Sequence, residues 1–250
     1  MQNLPPPSTF PAEASLQELL DIASSKYQVK FETLKVDEYE LQVLQLADME
    51  EYVDYLAENL RYGEKLELPF WAKIWPTSIL LSYYLQRLPL DMQGQMLELG
   101  AGVGVCGLFA AKHGLEVIIS DSHEDALLFS KINILQNNLQ DRADVAKVDF
   151  TQQRLQQRFR YILGSEILYQ ESCYSPLINF LLNHLEPMPQ AEAILAKSHN
   201  LKASSFFELA RAEFQLQEKT LGYRQQADSE QATQEKYLSQ IYRLRPKKHV

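Results

Sequence analysis

Residues 98–104 read Glu-Leu-Gly-Ala-Gly-Val-Gly, and the apolar run that begins at Met96 leads straight into them. An apolar run that carries an acid, then breaks into three alternating glycines before a second apolar stretch, reads as strand, tight turn and helix. Glycines at such a turn permit positive φ and let a ligand lie against bare backbone. The helix start behind them offers unpaired N–H groups to an electron-rich group. Three further acids fall at or near the ends of apolar runs: Asp121 after Val117-Ile-Ile-Ser, Asp149 after Val145-Ala-Lys-Val, and Glu166 after Tyr161-Ile-Leu-Gly-Ser. Each alone is a helix cap or a solvated loop acid. Three at equivalent edges beside a glycine turn make a nucleotide site: Asp121 can accept from two ribose hydroxyls, and Asp149 from an adenine amine with Phe150 on the ring.

The elements that would bring these acids to one edge follow from the rhythm of residues 95–215. Strands are expected at Gln95–Leu99, Glu116–Asp121, Asp144–Asp149, Tyr161–Leu168 and Ala191–Lys197. Helices are expected near Val105–His113, Asp125–Asn137, Tyr174–Leu185 and Ser204–Gln215. Alternating strand and helix predict an α/β fold with a Rossmann-like, mostly parallel seven-stranded sheet and helices on both faces. Gln217–Gln225 and Ser239–Arg245 read as two strands with no crossover helix, hence an antiparallel pair at the sheet edge, with polar Ala227–Glu235 as the loop between them. In such a sheet, ligands gather beyond the carboxyl ends of the strands where the order reverses.

Ahead of this lies an N-terminal extension, residues 1–65, with the main domain at 66–250. Residues 1–11 hold four prolines and are expected to be extended or disordered. Ala12–Lys26 has helical spacing, Val29–Leu34 and Tyr39–Leu44 suggest a hairpin, and Asp48 is placed to cap a helix through Leu60. Both tryptophans fall in Phe70-Trp-Ala-Lys-Ile-Trp75-Pro76. Pro76 suits the first position of a helix to Arg87, and Trp75, just before it, is the better placed of the two to line a pocket.

Composition narrows the function classes. A net charge of −9 argues against a general nucleic-acid binder, and the one basic cluster, Arg243–Lys248, reads as a solvated strand end and tail. Two cysteines far apart suggest neither a disulfide framework nor a zinc site; Cys106 reads as a small buried thiol, and no metal is expected. No apolar run approaches a membrane span, and the start lacks a basic region followed by an apolar core, so no signal peptide is expected and the expectation is cytoplasmic.

Gly102–Gly107 also fits the dinucleotide pattern GxGxxG, with Asp121 at a suitable distance, so the glycines alone do not separate NAD from S-adenosylmethionine. Three features favour the second. Glu98 precedes a glycine at position 100, the sheet ends in an antiparallel pair, and the Trp-Pro segment and Glu166-Ile-Leu-Tyr169 flank one edge. On these residues the chain resembles the class I, seven-strand S-adenosylmethionine-dependent methyltransferases over about residues 66–200. Within them it is similar to the methyltransferase-like 21 and electron-transfer-flavoprotein β-subunit lysine methyltransferase group and its bacterial cousins. The resemblance implies S-adenosylmethionine as cofactor, with Glu98, Gly100, Ala101 and Gly102 along its methionine part and Asp121 on the ribose. Trp75, Asp149, Phe150 and Ser165 match positions around the same pocket.

Two departures stand out. The group's Asp-Trp is Asp149-Phe150 here, and its Asp-x-x-Tyr/Phe is Glu166-x-x-Tyr169, one methylene longer. The Asn-Pro-Pro-Tyr-like element of adenine-N6 and glutamine methyltransferases is missing after the fourth strand, which disfavours those acceptors. The implied activity is N-methylation of a protein lysine, with Glu166 orienting the amine and Tyr169 offering its ring face to the cation. The alternatives are a small-molecule methyltransferase of the same fold, an NAD(P)-dependent oxidoreductase, or a cofactor-binding protein without turnover. His199 reads as a polar loop residue rather than a base.

Overall fold

The computed structural model describes residues 4–247 apart from 62, 64 and 225–235, so the expected loop at Ala227–Glu235 lies outside the described residues. Seven strands form one sheet: β3 (Gln95–Leu99), β4 (Glu116–Asp121), β5 (Ala143–Lys147), β6 (Tyr161–Ser165), β7 (Glu192–Ser198), β8 (Phe214–Arg224) and β9 (Lys236–Pro246). Their order is β5-β4-β3-β6-β7-β9-β8. The pairs from β5 to β7 are parallel, whereas β9 runs antiparallel to β7 and β8 antiparallel to β9. The order reverses at β3, which sets the switch point between β3 and β6.

The parallel strands are nearly continuous apolar runs because both faces are covered. Alternate residues serve opposite layers: Met96, Ile119 and Leu163 join one core, Leu97, Ile118 and Ile162 the other. The first layer contains α3 (Pro76–Leu85), α4 (Val105–Lys112) and α5 (Glu124–Gln136); the second contains α6 (Tyr174–His184) and α7 (Ser204–Glu213). Pro76 opens α3 as expected. Cys106 is fully buried in α4, and burial pushes its thiol well up.

The N-terminal elements α1 (Leu16–Lys26), the hairpin β1 (Val29–Val36) with β2 (Tyr39–Leu46), and α2 (Met49–Glu58) precede the sheet. Leu19, Val43 and Leu44 share the first core with Phe129 of α5. Ser15, three residues inside the expected helix, is the real cap of α1, in a reciprocal capping box with Glu18. The described part of the proline-rich leader is not loose. Lys147 N on the free edge of β5 donates to Pro5 O, Ser8 and Thr9 donate to Glu124, and Phe10 is buried.

Two further expectations are corrected. Arg243 is not a solvated strand end: it ion-pairs with Glu192, which is 2% exposed, because a carboxylate buried in β7 needs cationic partners, and the partly exposed Arg245 pairs with the same carboxylate. The fourth parallel strand stops at Ser165 rather than Leu168, since Glu166 takes a left-handed φ of 58° and turns the chain.

Candidate active site at the carboxyl edge of the sheet

The glycine turn is closed to side chains. Gly100, Gly102 and Gly104 all have positive φ (58°, 57° and 83°). A Cβ on Gly102 would meet Trp71 O at 2.6 Å, and one on Gly100 would meet Ile167 Cγ2 at 2.8 Å. The turn is also held from below. Ala101 N donates to Ser120 O (3.0 Å), Ser130 Oγ of α5 to Gly102 O (2.8 Å), and Asn133 Nδ2 to Val103 O (3.0 Å). Asn133 Oδ1 also accepts from Leu44 N, so a fully buried amide ties the hairpin to the turn.

Asp121 ends β4 and joins this turn directly. One of its oxygens accepts from Gly102 N (2.9 Å) and the other from His123 N (2.9 Å). Burial raises its pKa against those donors. Each carboxylate oxygen has capacity for one more bond, which suits a pair of hydroxyls. Glu98 lies deeper, 2% exposed, where its Oε2 accepts from Gly107 N (2.8 Å) in the first turn of α4. Burial lifts its pKa to about 8.

Asp149 stands two residues past β5. Its Oδ1 accepts from Thr151 N and Thr151 Oγ1, so it caps a local turn, and Phe150 packs half-buried against the second core. Trp75 Nε1 donates to Phe70 O (3.1 Å), and Lys73 Nζ lies 4.7 Å above the Trp75 ring. Trp71, the less favoured tryptophan, touches the turn through its carbonyl and stacks on His123 (5.0 Å, 18°). Ala101 lies inside the turn, half-buried.

On the β6 side, Ser165 Oγ is buried with no hydrogen-bond partner. An orphaned hydroxyl at a switch point costs about 1–3 kcal/mol unless something bonds it. Next to it, Glu166 Oε1 accepts both from Thr77 Oγ1 of α3 and from Ser198 N (2.6 Å) at the end of β7. Burial raises the Glu166 pKa; the two donors and the nearby Lys197 ammonium oppose the rise. A left-handed glutamate costs roughly 1–2 kcal/mol of backbone strain. Tyr169 is 66% exposed at the rim and is not a core aromatic. Local desolvation is the largest cause that holds its phenol above the ordinary value, and the Asp121 carboxylate adds to it. His199 is exposed, with its N–H on Leu238 O.

The fold thus gathers the glycine turn, Asp121, Ser165 and Glu166 at one edge. Thr77, Ser198, Ser130, Asn133 and His123 join them without having been singled out from the sequence. Their partners are 28 to 89 residues away in the chain except for His123, which follows Asp121 by two, so no local spacing marks them. A groove of about 410 Å³ in the 154–158 loop, lined also by Asn183, holds none of these acids.

A family model described as lysine methyltransferase matches residues 56–213. Protein N-lysine methyltransferase METTL21A of Mus musculus is 34% identical over 122 residues, 46% of this chain and 55% of that protein. Histone-arginine methyltransferase METTL23 of Xenopus laevis is 28% identical over 146 residues, 52% of this chain and 58% of that protein. The chain thus spans little more than half the length of either relative. Among solved structures, the precorrin-6y C5,15-methyltransferase of Geobacter metallireducens shares the fold with a TM-score of 0.54 at 12% identity, covering 65% of this chain and 85% of that one. With a family match that covers the glycine turn, Asp121 and the whole β6–β7 edge, this chain belongs to the lysine methyltransferase family.

Proposed function

We propose that the protein is an S-adenosylmethionine-dependent N-methyltransferase whose acceptor is a lysine side chain of another protein. One observation carries the reading: a glycine turn with no room for side chains, bonded to Asp121, faces an unpartnered Ser165 hydroxyl and a carboxylate across the switch point. These groups fit S-adenosylmethionine, with bare backbone at Gly100–Gly102 for the methionine part and Asp121 for the ribose. Asp149 and Phe150 serve the adenine, and Trp75 and Ser165 the walls. Glu98 supports that cradle by fixing the first turn of α4. The cofactor, when bound, supplies an activated methyl group.

The chain's own residues must align the acceptor and exclude water. A lysine amine, with an ordinary pKa near ~10.4, has to shed a proton before it attacks. Glu166 orients the amine, but a carboxylate also favours the ammonium form, so it is not the activator by itself. The exposed ring of Tyr169 provides a face for the cation.

The protein acceptor is supported by the rim. Helix α2 has no buried residue, and Glu50, Glu51, Asp54 and Glu58 are all exposed, with no salt bridge to any of them among the described residues. Tyr55 on the same helix is 59% exposed, and Phe70, in the 70–72 turn ahead of α3, is 57% exposed. Ring contacts run Tyr52–Tyr27–Trp71–His123 from this helix to the Asp121 loop. An acidic, partly apolar rim suits a basic segment carrying the target lysine. Two free thiols agree with a cytoplasmic setting.

The test is transfer of tritiated methyl from S-adenosylmethionine into lysate proteins, followed by hydrolysis to amino acids. Label in methyl-lysine is expected. Label in methyl-arginine alone, or none in protein, would overturn the reading. Asp54→Lys/Glu58→Lys reverses the rim in the later part of α2, where lysine is compatible with the helix dipole. It should slow labelling about tenfold through lost steering, while S-adenosylhomocysteine binds as before. An unchanged rate would remove α2 from acceptor binding.

A further inference from the structure

Glu166 is held in an unusual way. Both of its hydrogen bonds fall on the same oxygen, Oε1, from Thr77 Oγ1 and Ser198 N. Its Oε2 takes no hydrogen bond from any described residue and is not completely buried, so it is left available to a further partner. Thr77 is 3% exposed and has a second partner: Ser239 Oγ of β9, 1% exposed, stands 3.1 Å from Thr77 Oγ1. The proton order along this chain is fixed by chemistry. An ionised carboxylate only accepts, so Thr77 must donate to it, which leaves the Thr77 oxygen to accept from Ser239.

We infer that Thr77 and Ser239 are positioning residues for methyl transfer, which lock one oxygen of Glu166 so that the other is presented to the acceptor amine. The inference rests on the proposed methyltransferase reading and deepens it. Ser239 belongs to a strand beyond residue 213, where the family match ends, so the C-terminal hairpin completes a carboxylate cradle that the matched region only begins. Other contacts keep β9 in register there: His199 N donates to Leu238 O, and the buried Lys197 Nζ donates to Gln240 Oε1 and Leu201 O. The latch also has a reason to exist in this chain. Glutamate carries one more methylene than aspartate, so its carboxylate samples more rotamers unless something pins it. The left-handed turn at Glu166, together with Thr77 from α3 and Ser198 from β7, pins it from two sides.

The experiment compares Thr77→Val, Thr77→Ser and Ser239→Ala with the unaltered full chain. Two quantities are measured: the affinity for S-adenosylhomocysteine, and the rate of tritium-methyl transfer into lysate protein as S-adenosylmethionine is varied. Thr77→Val keeps the shape but cannot donate. It should lower the maximal rate at least tenfold, with KM for S-adenosylmethionine and the affinity for S-adenosylhomocysteine within about twofold. Thr77→Ser keeps the hydroxyl and should restore the rate to within about threefold, and Ser239→Ala should fall between. A purely structural role would lower stability in Thr77→Val without this split between maximal rate and KM. Should Thr77→Val fail to fold, Ser239→Ala decides alone: an unaltered maximal rate there overturns the inference. Equal rates for Thr77→Val and the unaltered chain overturn it as well. Absence of transfer by the unaltered chain, with S-adenosylhomocysteine still bound, instead brings down the underlying reading.

Discussion

Gly102→Ala is expected to abolish measurable binding of S-adenosylhomocysteine and to lower the melting temperature. Position 102 has φ 57°, where an alanine costs roughly 1–2 kcal/mol. Steric conflict adds to that cost. The new Cβ would stand 2.6 Å from Trp71 O, a backbone atom that cannot rotate away. Relief requires the 70–72 turn or the glycine turn to move, and Gly102 N would then leave Asp121. A misplacement of about 1 Å costs on the order of 100-fold in rate when it affects reacting groups, and here it also takes the bare backbone away from the ligand. Gly114→Ala provides the comparison, because its φ is also positive (113°) but no atom lies within 4 Å of the added carbon. It should lose stability through strain alone and bind as tightly as the unaltered chain. Calorimetric titration and thermal melts of both variants check the contrast; equal binding by Gly102→Ala would mean that the turn is not the cradle.

Glu98 should make stability depend on pH with the opposite sign to an ordinary salt-bridged acid. Its folded-state pKa is about 8 because burial disfavours the carboxylate, against an ordinary 4.5 in the unfolded chain. The folded state therefore binds this proton more tightly. The contribution is fully present below about pH 4.5 and is lost as pH rises towards 8, after which it is constant. The whole loss is on the order of 5 kcal/mol. Glu98→Gln retains an acceptor for Gly107 N without the charge. The melting temperature of Glu98→Gln minus that of the unaltered chain should thus climb between pH 5 and pH 8.5. A change of about 1 kcal/mol moves a chain of this size by roughly 2–4 °C, so the climb should reach about 10 °C. A difference flat across that range would mean that Glu98 ionises as it does in water.

How far the sequence could be read depended on the range of the forces involved. Strands β3 and β4 were expected at Gln95–Leu99 and Glu116–Asp121, and they stand there. Each is an apolar run bounded by a turn, and that signal is local. Strand β6 was expected to continue to Leu168 because Ile167 and Leu168 are apolar. Both are indeed buried, yet the strand ends at Ser165. It ends at the left-handed turn of Glu166, whose carboxylate is fastened to α3 and β7, and no periodicity records a bond across 89 or 32 residues. The leader was expected to be extended or disordered from its prolines. The carbonyl of one of them, Pro5, accepts a hydrogen bond from the exposed edge of β5. For Trp71 and Trp75 the chain order favoured the second. In the fold it is Trp71 that reaches the glycine turn, because the 70–72 turn folds back over it.

The central claim is the identity of the bound cofactor, and calorimetric titration with S-adenosylhomocysteine and, separately, NADH tests it most directly. The unaltered chain should bind S-adenosylhomocysteine and show no heat with NADH. Asp121→Ala should lose at least tenfold in affinity, because it removes the acid proposed to hold the ribose, which also anchors Gly102 N. Binding of NADH without S-adenosylhomocysteine, or full affinity in Asp121→Ala, would contradict the account.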